Sequence, residues 1–255
     1  MSFDLITVPC LSDNYAFLLR CAATGEVACI DVPEAGPILE ALEAHGWTLS
    51  QVWLTHHHWD HVDGLADLLA GHHASVVGAR ADAHRLPELN VSVREGDTVA
   101  LGALRAEVID VPGHTVGHIA FHVPQARAAF TADSLMALGC GRLFEGTPAQ
   151  MWASLQKLMA LPADTTICSG HEYTASNAKF ALTVDPGNAA LISRASGIDA
   201  ARAKGEPTVP SPLSLELATN PFLRPHDPGI RATLGMTNAT DTEVFAEIRA
   251  RKDRF

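Results

Sequence analysis

Thr55-His56-His57-His58-Trp59-Asp60-His61 follows directly on an apolar run at 51–54, which we predict to be a buried strand. A loop that leaves the end of a strand can direct alternate side chains into one cleft. The loop thus offers three imidazoles and a carboxylate at close range, from His56, His58, His61 and Asp60. Without a cation, these three imidazoles and one carboxylate would repel or desolvate one another. The pattern therefore predicts a metal site, and His57, which points the other way in this alternation, is given no role.

Three further donors each follow an apolar run and a turn. They are His114 after 104–111, Asp133 after 128–131 and His171 after 165–168. Donors repeated at the ends of several strands are expected where metal ligands converge on one cleft. The donors are imidazoles and carboxylates without a thiolate, which suits Zn²⁺, Fe or Mn. Because one catalytic zinc needs only three protein ligands, we predict two metal ions per chain.

Composition restricts the class of protein further. Of the 255 residues, 47% are hydrophobic and 18% are charged, which is globular composition and excludes a disordered or fibrous chain. The formal net charge of −11 disfavours nucleic acid as a partner. No run approaches the ~18 apolar residues of a membrane helix, and the first ten residues lack the basic start and apolar run of a leader. The five cysteines form no CxxC pair, so we expect reduced thiols and a cytoplasmic protein.

Two groups of predicted strands alternate with amphipathic helices up to about residue 172. The first group lies at 3–8, 15–20, 26–31, 51–54 and 75–78, and the second at 98–101, 104–111, 117–122 and 128–131. One more strand is predicted at 165–168. Thr147 and Gln150 form a capping-box signature for a helix that we expect to end at Leu161. Such a pattern predicts an α+β layered sandwich over 1–172. The alanine-rich segments that follow predict a small all-helical domain over 173–255.

Several of these motifs together resemble a known family. The histidine loop, Pro112-Gly113-His114-Thr115, the lone Asp133 and Gly170-His171 are similar to the ligand series of the metallo-β-lactamase fold over residues 1–172. The whole chain, with Gly139-Cys140-Gly141-Arg142 and Asn220-Pro221-Phe222-Leu223-Arg224, resembles the glyoxalase II (hydroxyacylglutathione hydrolase) family. The resemblance implies an αββα sandwich followed by a C-terminal helical domain that contributes to substrate binding.

The resemblance also implies how the metal ligands are shared. His56, His58 and His114 would hold one metal ion, and Asp60, His61 and His171 would hold the second. Asp133 would bridge both ions. Asp60 and Asp133 would thus be the catalytic carboxylates, with Asp60 able to orient the attacking hydroxide as well.

Five residues match the family's glutathione-binding positions. They are Arg142, Phe144, Tyr173, Arg249 and Lys252. Two depart from the family pattern. Arg142 stands where the family has lysine and keeps the charge, whereas Phe144 stands where the family has tyrosine and loses a hydroxyl group.

The activity implied by the resemblance is hydrolysis of S-2-hydroxyacylglutathione thioesters. In methylglyoxal detoxification this reaction converts S-D-lactoylglutathione to D-lactate and glutathione, with a hydroxide shared by two metals attacking the thioester carbon. Zinc is the expected metal, with iron or manganese as alternatives. The expected partner is the small-molecule thioester alone, with no membrane or nucleic acid, and the chain is expected to be a monomer. The alternatives are another hydrolase or an iron-dependent dioxygenase of the same fold, or a non-catalytic metal-binding module.

Overall fold

The computed structural model describes residues 2–255, which divide into two units. The strand unit comprises residues 2–111 together with Val116–Ala132. The helical unit comprises Pro112–Thr115 together with Asp133–Phe255. The domain boundary predicted between residues 172 and 173 divides the chain differently and stays a prediction.

The first sheet of the strand unit has six strands that neighbour one another in chain order. They are β1 (Phe3–Cys10), β2 (Asn14–Cys21), β3 (Val27–Ile30), β4 (Leu49–Trp53), β5 (Ser75–Ala79) and β6 (Val91–Val93). Strands β1 to β3 pair antiparallel, and strands β3 to β6 pair parallel. Helices α1 (Ala35–His45), α2 (Trp59–Val62) and α3 (Leu65–Ala70) belong to the same unit. Gly46, with φ of 62°, ends α1 in the left-handed conformation that glycine adopts readily.

The second group of strands in this unit is antiparallel, and its neighbours follow the order β10, β9, β8, β7. These strands are β7 (Thr98–Leu101), β8 (Leu104–Asp110), β9 (Ile119–Val123) and β10 (Ala128–Ala132). The two groups pack through aromatic side chains, with Trp53 of β4 at 5.1 Å from Phe121 and 6.5 Å from Phe130 between ring centroids. Burial of these rings stabilises the frame that carries the histidine loop.

The helical unit contains four short strands and six helices among its described residues. They are β11 (Leu135–Met136), β12 (Gly139–Cys140), α4 (Pro148–Met159), β13 (Thr166–Ser169), α5 (Thr174–Val184), α6 (Ala189–Arg202), β14 (Ser211–Pro212), α7 (Leu213–Thr219), α8 (Pro228–Leu234) and α9 (Asp241–Arg254). Phe222 links the core of this unit, because its ring lies 6.1 Å from Phe180 and 6.0 Å from Phe245.

Several local predictions can be compared with these elements. The capping box of α4 is confirmed, with the Gln150 N–H donating to Thr147 Oγ1 at 3.2 Å. The interpretation of residues 59–61 as loop is wrong, because α2 carries Asp60 and His61 on a short helical turn. Sequence reasoning missed α8, which begins at a proline after the cap Asp227. None of the helices among residues 2–255 is long and apolar enough to cross a membrane.

Candidate metal centre

The histidine loop leaves the C-terminal end of β4 and gathers its imidazoles closely. The His56 ring centroid lies 4.8 Å from that of His58 and 4.2 Å from that of His61. His56 and His61 are fully buried. Asp60 Oδ2 lies 3.9 Å from His61 Nε2, and the His118 ring stacks on His56 at 4.6 Å. The structure thus brings the four predicted donors of the loop together.

Asp31 follows β3 and organises this loop, although the sequence analysis did not single it out. Its Oδ1 accepts the Thr55 N–H at 2.8 Å, and its Oδ2 accepts from Thr55 Oγ1 and His61 Nδ1, both at 2.8 Å. Because an ionised carboxylate only accepts, His61 donates from Nδ1 and presents Nε2 as the ligating atom. Ligand atoms of Asp31, His56 and His61 lie within 4.8 Å of one another. The carboxylate therefore sets the tautomer of His61, as is typical around a metal.

His57, which the sequence analysis left without a role, is held by a separate pair of residues. Its Nδ1 bonds Asp82 Oδ2 at 2.9 Å, and Arg85 Nε donates to Asp82 Oδ1 at 2.6 Å. Asp82 is 1% exposed. A Cβ on Gly117 would lie 2.5 Å from Asp82, so only glycine leaves room for this carboxylate. His57 thus anchors the loop between two predicted ligands.

The other three predicted donors lie in the helical unit and meet at one oxygen atom. Asp133 Oδ2 lies 3.4 Å from His114 Nε2 and 3.3 Å from His171 Nε2. All three residues are at most 6% exposed. His114 Nδ1 donates to the Arg142 carbonyl oxygen at 2.7 Å, which leaves Nε2 as the ligating atom. Asp133 therefore lies between two predicted metal ligands, and its role as a bridging ligand stays a prediction.

Gly141 is required by the close approach of the chain to these donors. A Cβ at this position would lie 1.9 Å from the Asp133 carbonyl oxygen and 2.9 Å from His114 Nδ1. Either the Asp133 backbone or the His114 ring would have to move.

Gly141→Ala is therefore expected to weaken metal binding and to destabilise the protein by about 1–3 kcal/mol, as in other overpacked sites. Thermal unfolding with and without metal, together with metal content, measures both effects. Gly197→Ala is the matched control, because a Cβ there meets nothing within 4 Å in α6. That control is expected to raise the stability slightly. Unchanged metal content and stability in Gly141→Ala would contradict the steric argument.

Glu216 is a buried carboxylate that supports the segment after Asp133. It is 0% exposed. Leu138 N–H donates to its Oε2 at 2.8 Å, Ser211 Oγ donates to its Oε1 at 2.6 Å, and the Arg194 guanidinium pairs with it. Leu138 has φ of 56°, a conformation that this hydrogen bond helps to hold.

Asn220 supports the same segment, a role that its sequence motif alone did not indicate. Its Nδ2 donates to the Met136 carbonyl at 3.1 Å and to the Gly139 carbonyl at 3.0 Å. It also reaches Glu216 Oε2 at 3.2 Å. Buried hydrogen bonds thus tie the β11–β12 hairpin, which lies between Asp133 and Arg142, to Glu216 of α7 and to Asn220 directly after it.

Two residues predicted to bind glutathione are exposed aromatics that lie against predicted metal ligands. Phe144 is 61% exposed, and its ring lies edge to face with His114 at 5.3 Å. Tyr173 is 40% exposed, and its ring stacks on His171 at 4.6 Å. Both rings therefore lie beside predicted metal ligands, and their role in binding glutathione stays a prediction.

The three predicted cations differ in exposure. Arg142 is 56% exposed at its side chain, and its Nε lies 3.4 Å from Asp253 Oδ1. Arg249 is only 6% exposed, and it donates to the Cys140 carbonyl at 2.8 Å and to Asp253 at 2.8 and 3.0 Å. Lys252 is half-buried against Ser176, and burial followed by the charge of Arg249 lowers its pKa from the ordinary 10.5. Arg142 and Lys252 are the accessible cations of this set.

The donor chemistry fits divalent metal ions. Oxygen acceptors hold the Nδ1 atoms of His61 and His114, so Nε2 is the nitrogen of each ring that would ligate a metal. The donors are imidazoles and carboxylates, which suits zinc, iron or manganese. Cys140 and Cys168 are buried, and burial raises the pKa of each thiol, so neither competes as a thiolate ligand.

Comparison with known proteins matches both parts of the chain. Residues 22–171 match the metallo-beta-lactamase superfamily, and residues 172–255 match the family model described as hydroxyacylglutathione hydrolase C-terminus. A protein named hydroxyacylglutathione hydrolase from Ruegeria pomeroyi is 66% identical over 255 residues, which is 100% of both chains. The chain belongs to the hydroxyacylglutathione hydrolase family. A second relative of that name, from Cereibacter sphaeroides, is 63% identical over 100% of both chains.

A solved structure agrees with this fold. The crystal structure of ETHE1 from Myxococcus xanthus superposes with a TM-score of 0.69 at 26% identity, covering 98% of this chain and 90% of that one. The predicted metallo-β-lactamase fold with a C-terminal helical domain is thus confirmed, as is the resemblance to the hydroxyacylglutathione hydrolase family. The superfamily and the clusters of histidine and aspartate together indicate that this family member binds divalent metal.

Proposed function

We propose that the protein hydrolyses S-2-hydroxyacylglutathione thioesters, and that S-D-lactoylglutathione is the substrate in the removal of methylglyoxal. The observation that carries this proposal is the identity of 66% over the full chain to a protein named for the activity. The model for the C-terminus of that family also covers residues 172–255. A non-catalytic module is disfavoured, because structural zinc sites are usually closed and rich in thiolates.

The proposed centre holds two divalent ions per chain, with zinc ahead of iron and manganese. As the family resemblance implies, one ion would be held by His56, His58 and His114 and the other by Asp60, His61 and His171, with Asp133 as a ligand common to both. When bound, two such ions lower the pKa of a shared water molecule and polarise the thioester carbonyl. The tautomers set by Asp31 and by the Arg142 carbonyl support this assignment.

The side chains of this protein then position the reactants. Asp60, which lies next to His61, orients the attacking water and accepts its hydrogen bond. Glutathione leaves as a thiolate. Because a thiol has a pKa of ~8.5, no strong general acid is required. A cysteine nucleophile is not needed either: burial is the main reason that the thiol pKa rises to about 11 at Cys10 and at Cys140.

Substrate recognition is proposed to use the exposed groups of the helical unit. Arg142 and Lys252 attract the carboxylates of glutathione, while Phe144 and Tyr173 contact its apolar and amide surface. Arg249 belongs to the same predicted set, and its contacts to Cys140 and Asp253 support a role in holding that surface. The small thioester is the only partner proposed, and the chain is proposed to act as a monomer in the cytoplasm, where its five free cysteines would remain reduced.

The test pairs metal analysis with hydrolysis of S-D-lactoylglutathione, followed at the thioester absorbance. We expect close to two metal ions per chain and turnover that is lost on chelation and restored by added metal. Protein that carries two ions but leaves the thioester intact would overturn the proposed reaction. Full activity with a reproducible content of one ion would overturn the dinuclear centre alone.

Removing the accessible cations is expected to weaken substrate binding. Arg142→Ala and Lys252→Ala should each raise KM about tenfold with little change in kcat, because they delete charged contacts remote from the reacting carbon. Added salt should weaken the wild type more than the variants. Arg254→Ala is the matched control, since it removes a charge from the exposed end of α9. A KM equal to that of the wild type at low ionic strength would contradict the proposed clamp.

A further inference from the structure

Asn14 is a buried polar residue at the otherwise exposed tip of the first hairpin. Leu11 and Ser12 in the turn are exposed, whereas Asn14 is 4% exposed. The register pairs Cys10 with Asn14, so the position of Asn14 is set by the β1–β2 residue pair closest to the turn. Burial of a short amide at such a position requires partners for its polar atoms.

The partner of Asn14 is Asp60, which lies 46 residues later in the histidine loop. Asn14 Nδ2 donates to the Asp60 backbone carbonyl at 3.0 Å and to Asp60 Oδ2 at 3.1 Å. A side-chain amide has two N–H donors and no charge, so it can satisfy both oxygens at once. Neither serine, with one donor, nor aspartate, with none when ionised, can reproduce this pair of bonds.

The contact between Asn14 and Asp60 connects the first hairpin with the histidine loop, two segments that are adjacent only in the folded protein. The hairpin tip makes a second contact, in which the Leu11 N–H donates to the Glu34 carboxylate. Asp60 itself lies on the short helix α2 with its side chain 19% exposed, and the Oδ2 atom that Asn14 holds lies 3.9 Å from His61 Nε2. The orientation of Asp60 therefore depends on a residue outside the histidine loop.

We infer that Asn14 is a positioning residue for Asp60, and that its amide fixes the carboxylate in the orientation in which Asp60 binds metal. This inference rests on the proposed function only in taking Asp60 as a metal ligand. Asn14 donates two hydrogen bonds from an uncharged amide, which holds the Asp60 side chain without placing a positive charge near the metal. Contacts of this kind, made to a ligand rather than to the metal, typically change metal affinity or activity 10–100-fold.

The test compares zinc binding by Asn14→Leu, Asn14→Ala and the wild type, using metal-free protein in competition with a chromophoric chelator. Asn14→Leu keeps the size of the side chain without adding a charge, but it removes both donors to Asp60. We expect about 10–100-fold weaker binding of one of the two zinc ions in both variants, with a loss in Asn14→Leu as large as that in Asn14→Ala. A role in packing alone would make Asn14→Leu the milder variant, because its side chain fills the same space.

Three further measurements make the result specific. Thermal unfolding of the metal-free proteins measures how far each variant is destabilised, and the zinc affinity of Asn14→Leu should fall even at temperatures where that variant is folded. Ser12→Ala, in the same turn, should bind both ions normally. Thioester hydrolysis should show lower kcat at unchanged KM. Zinc binding as tight as in the wild type, or a clearly smaller loss in Asn14→Leu than in Asn14→Ala, would overturn the inference.

The outcome can be separated from that of the proposed function. If the wild type binds two zinc ions but does not hydrolyse the thioester, the proposed reaction fails while the zinc titration still tests Asn14. If Asp60→Asn binds both ions as tightly as the wild type, Asp60 is not a ligand and the role of Asn14 is overturned.

Discussion

Replacing Asp133 with asparagine is expected to lower kcat by at least about 100-fold and to reduce the metal content of the protein. In the structure one oxygen of Asp133 lies 3.3–3.4 Å from the Nε2 atoms of His114 and His171. The variant keeps the size of the side chain but removes the negative charge that would offset two divalent ions. It also replaces one acceptor oxygen with an NH₂ group, which donates hydrogen bonds and cannot bind a cation.

Kinetics of S-D-lactoylglutathione hydrolysis and elemental analysis of the same preparation measure both effects. Asp199→Asn, on the exposed face of α6, removes the same charge from the helical unit and should leave both quantities unchanged. An Asp133→Asn protein that retains two ions and most of its kcat would show that Asp133 is not the bridging ligand.

The second large effect is expected from Asp31→Asn, which should weaken metal binding about 10–100-fold and lower kcat to a similar extent. Asp31 has φ of 57°, and asparagine tolerates this left-handed conformation, so the backbone is expected to keep its course. An amide has one acceptor oxygen, which cannot serve the three donors that meet Asp31 in the wild type. His61 would then lose the partner that keeps its proton on Nδ1, and its Nε2 would be protonated more often.

Chelator competition and turnover assays on this variant measure metal affinity and kcat. Asp67→Asn, on the exposed face of α3, is the matched control in the strand unit and should resemble the wild type. If Asp31→Asn binds metal as tightly as the wild type, the tautomer of His61 is set by other contacts.

The metal donors were accessible to sequence analysis because their signal is local. In the histidine loop, four donors occur within six residues after one strand, and no packing information is needed to find them. The capping box of α4 is equally local, since its two bonds join residues three apart. By contrast, the helical turn α2 was missed because four residues show no helical period.

The residues that support the site were not accessible in this way. Asp31 acts on a loop 24–30 residues later, and Glu216 accepts a bond from Leu138 across 78 residues. Each is a single polar residue without a repeating neighbour, so nothing in the local sequence distinguishes it from a solvated residue. Only their burial and their partners reveal their roles.

The chain by itself determined the family, the fold and which imidazoles and carboxylates to examine, because these depend on short motifs and on hydrophobic patterning. Arg249 and Lys252 are three residues apart, a spacing that on its own places two side chains on one helix face. Tertiary structure placed the Arg249 guanidinium inside, against Cys140 and Asp253, and left Lys252 half-buried. Helical spacing specifies a face, but the elements that pack against that face decide which charges remain accessible to a substrate.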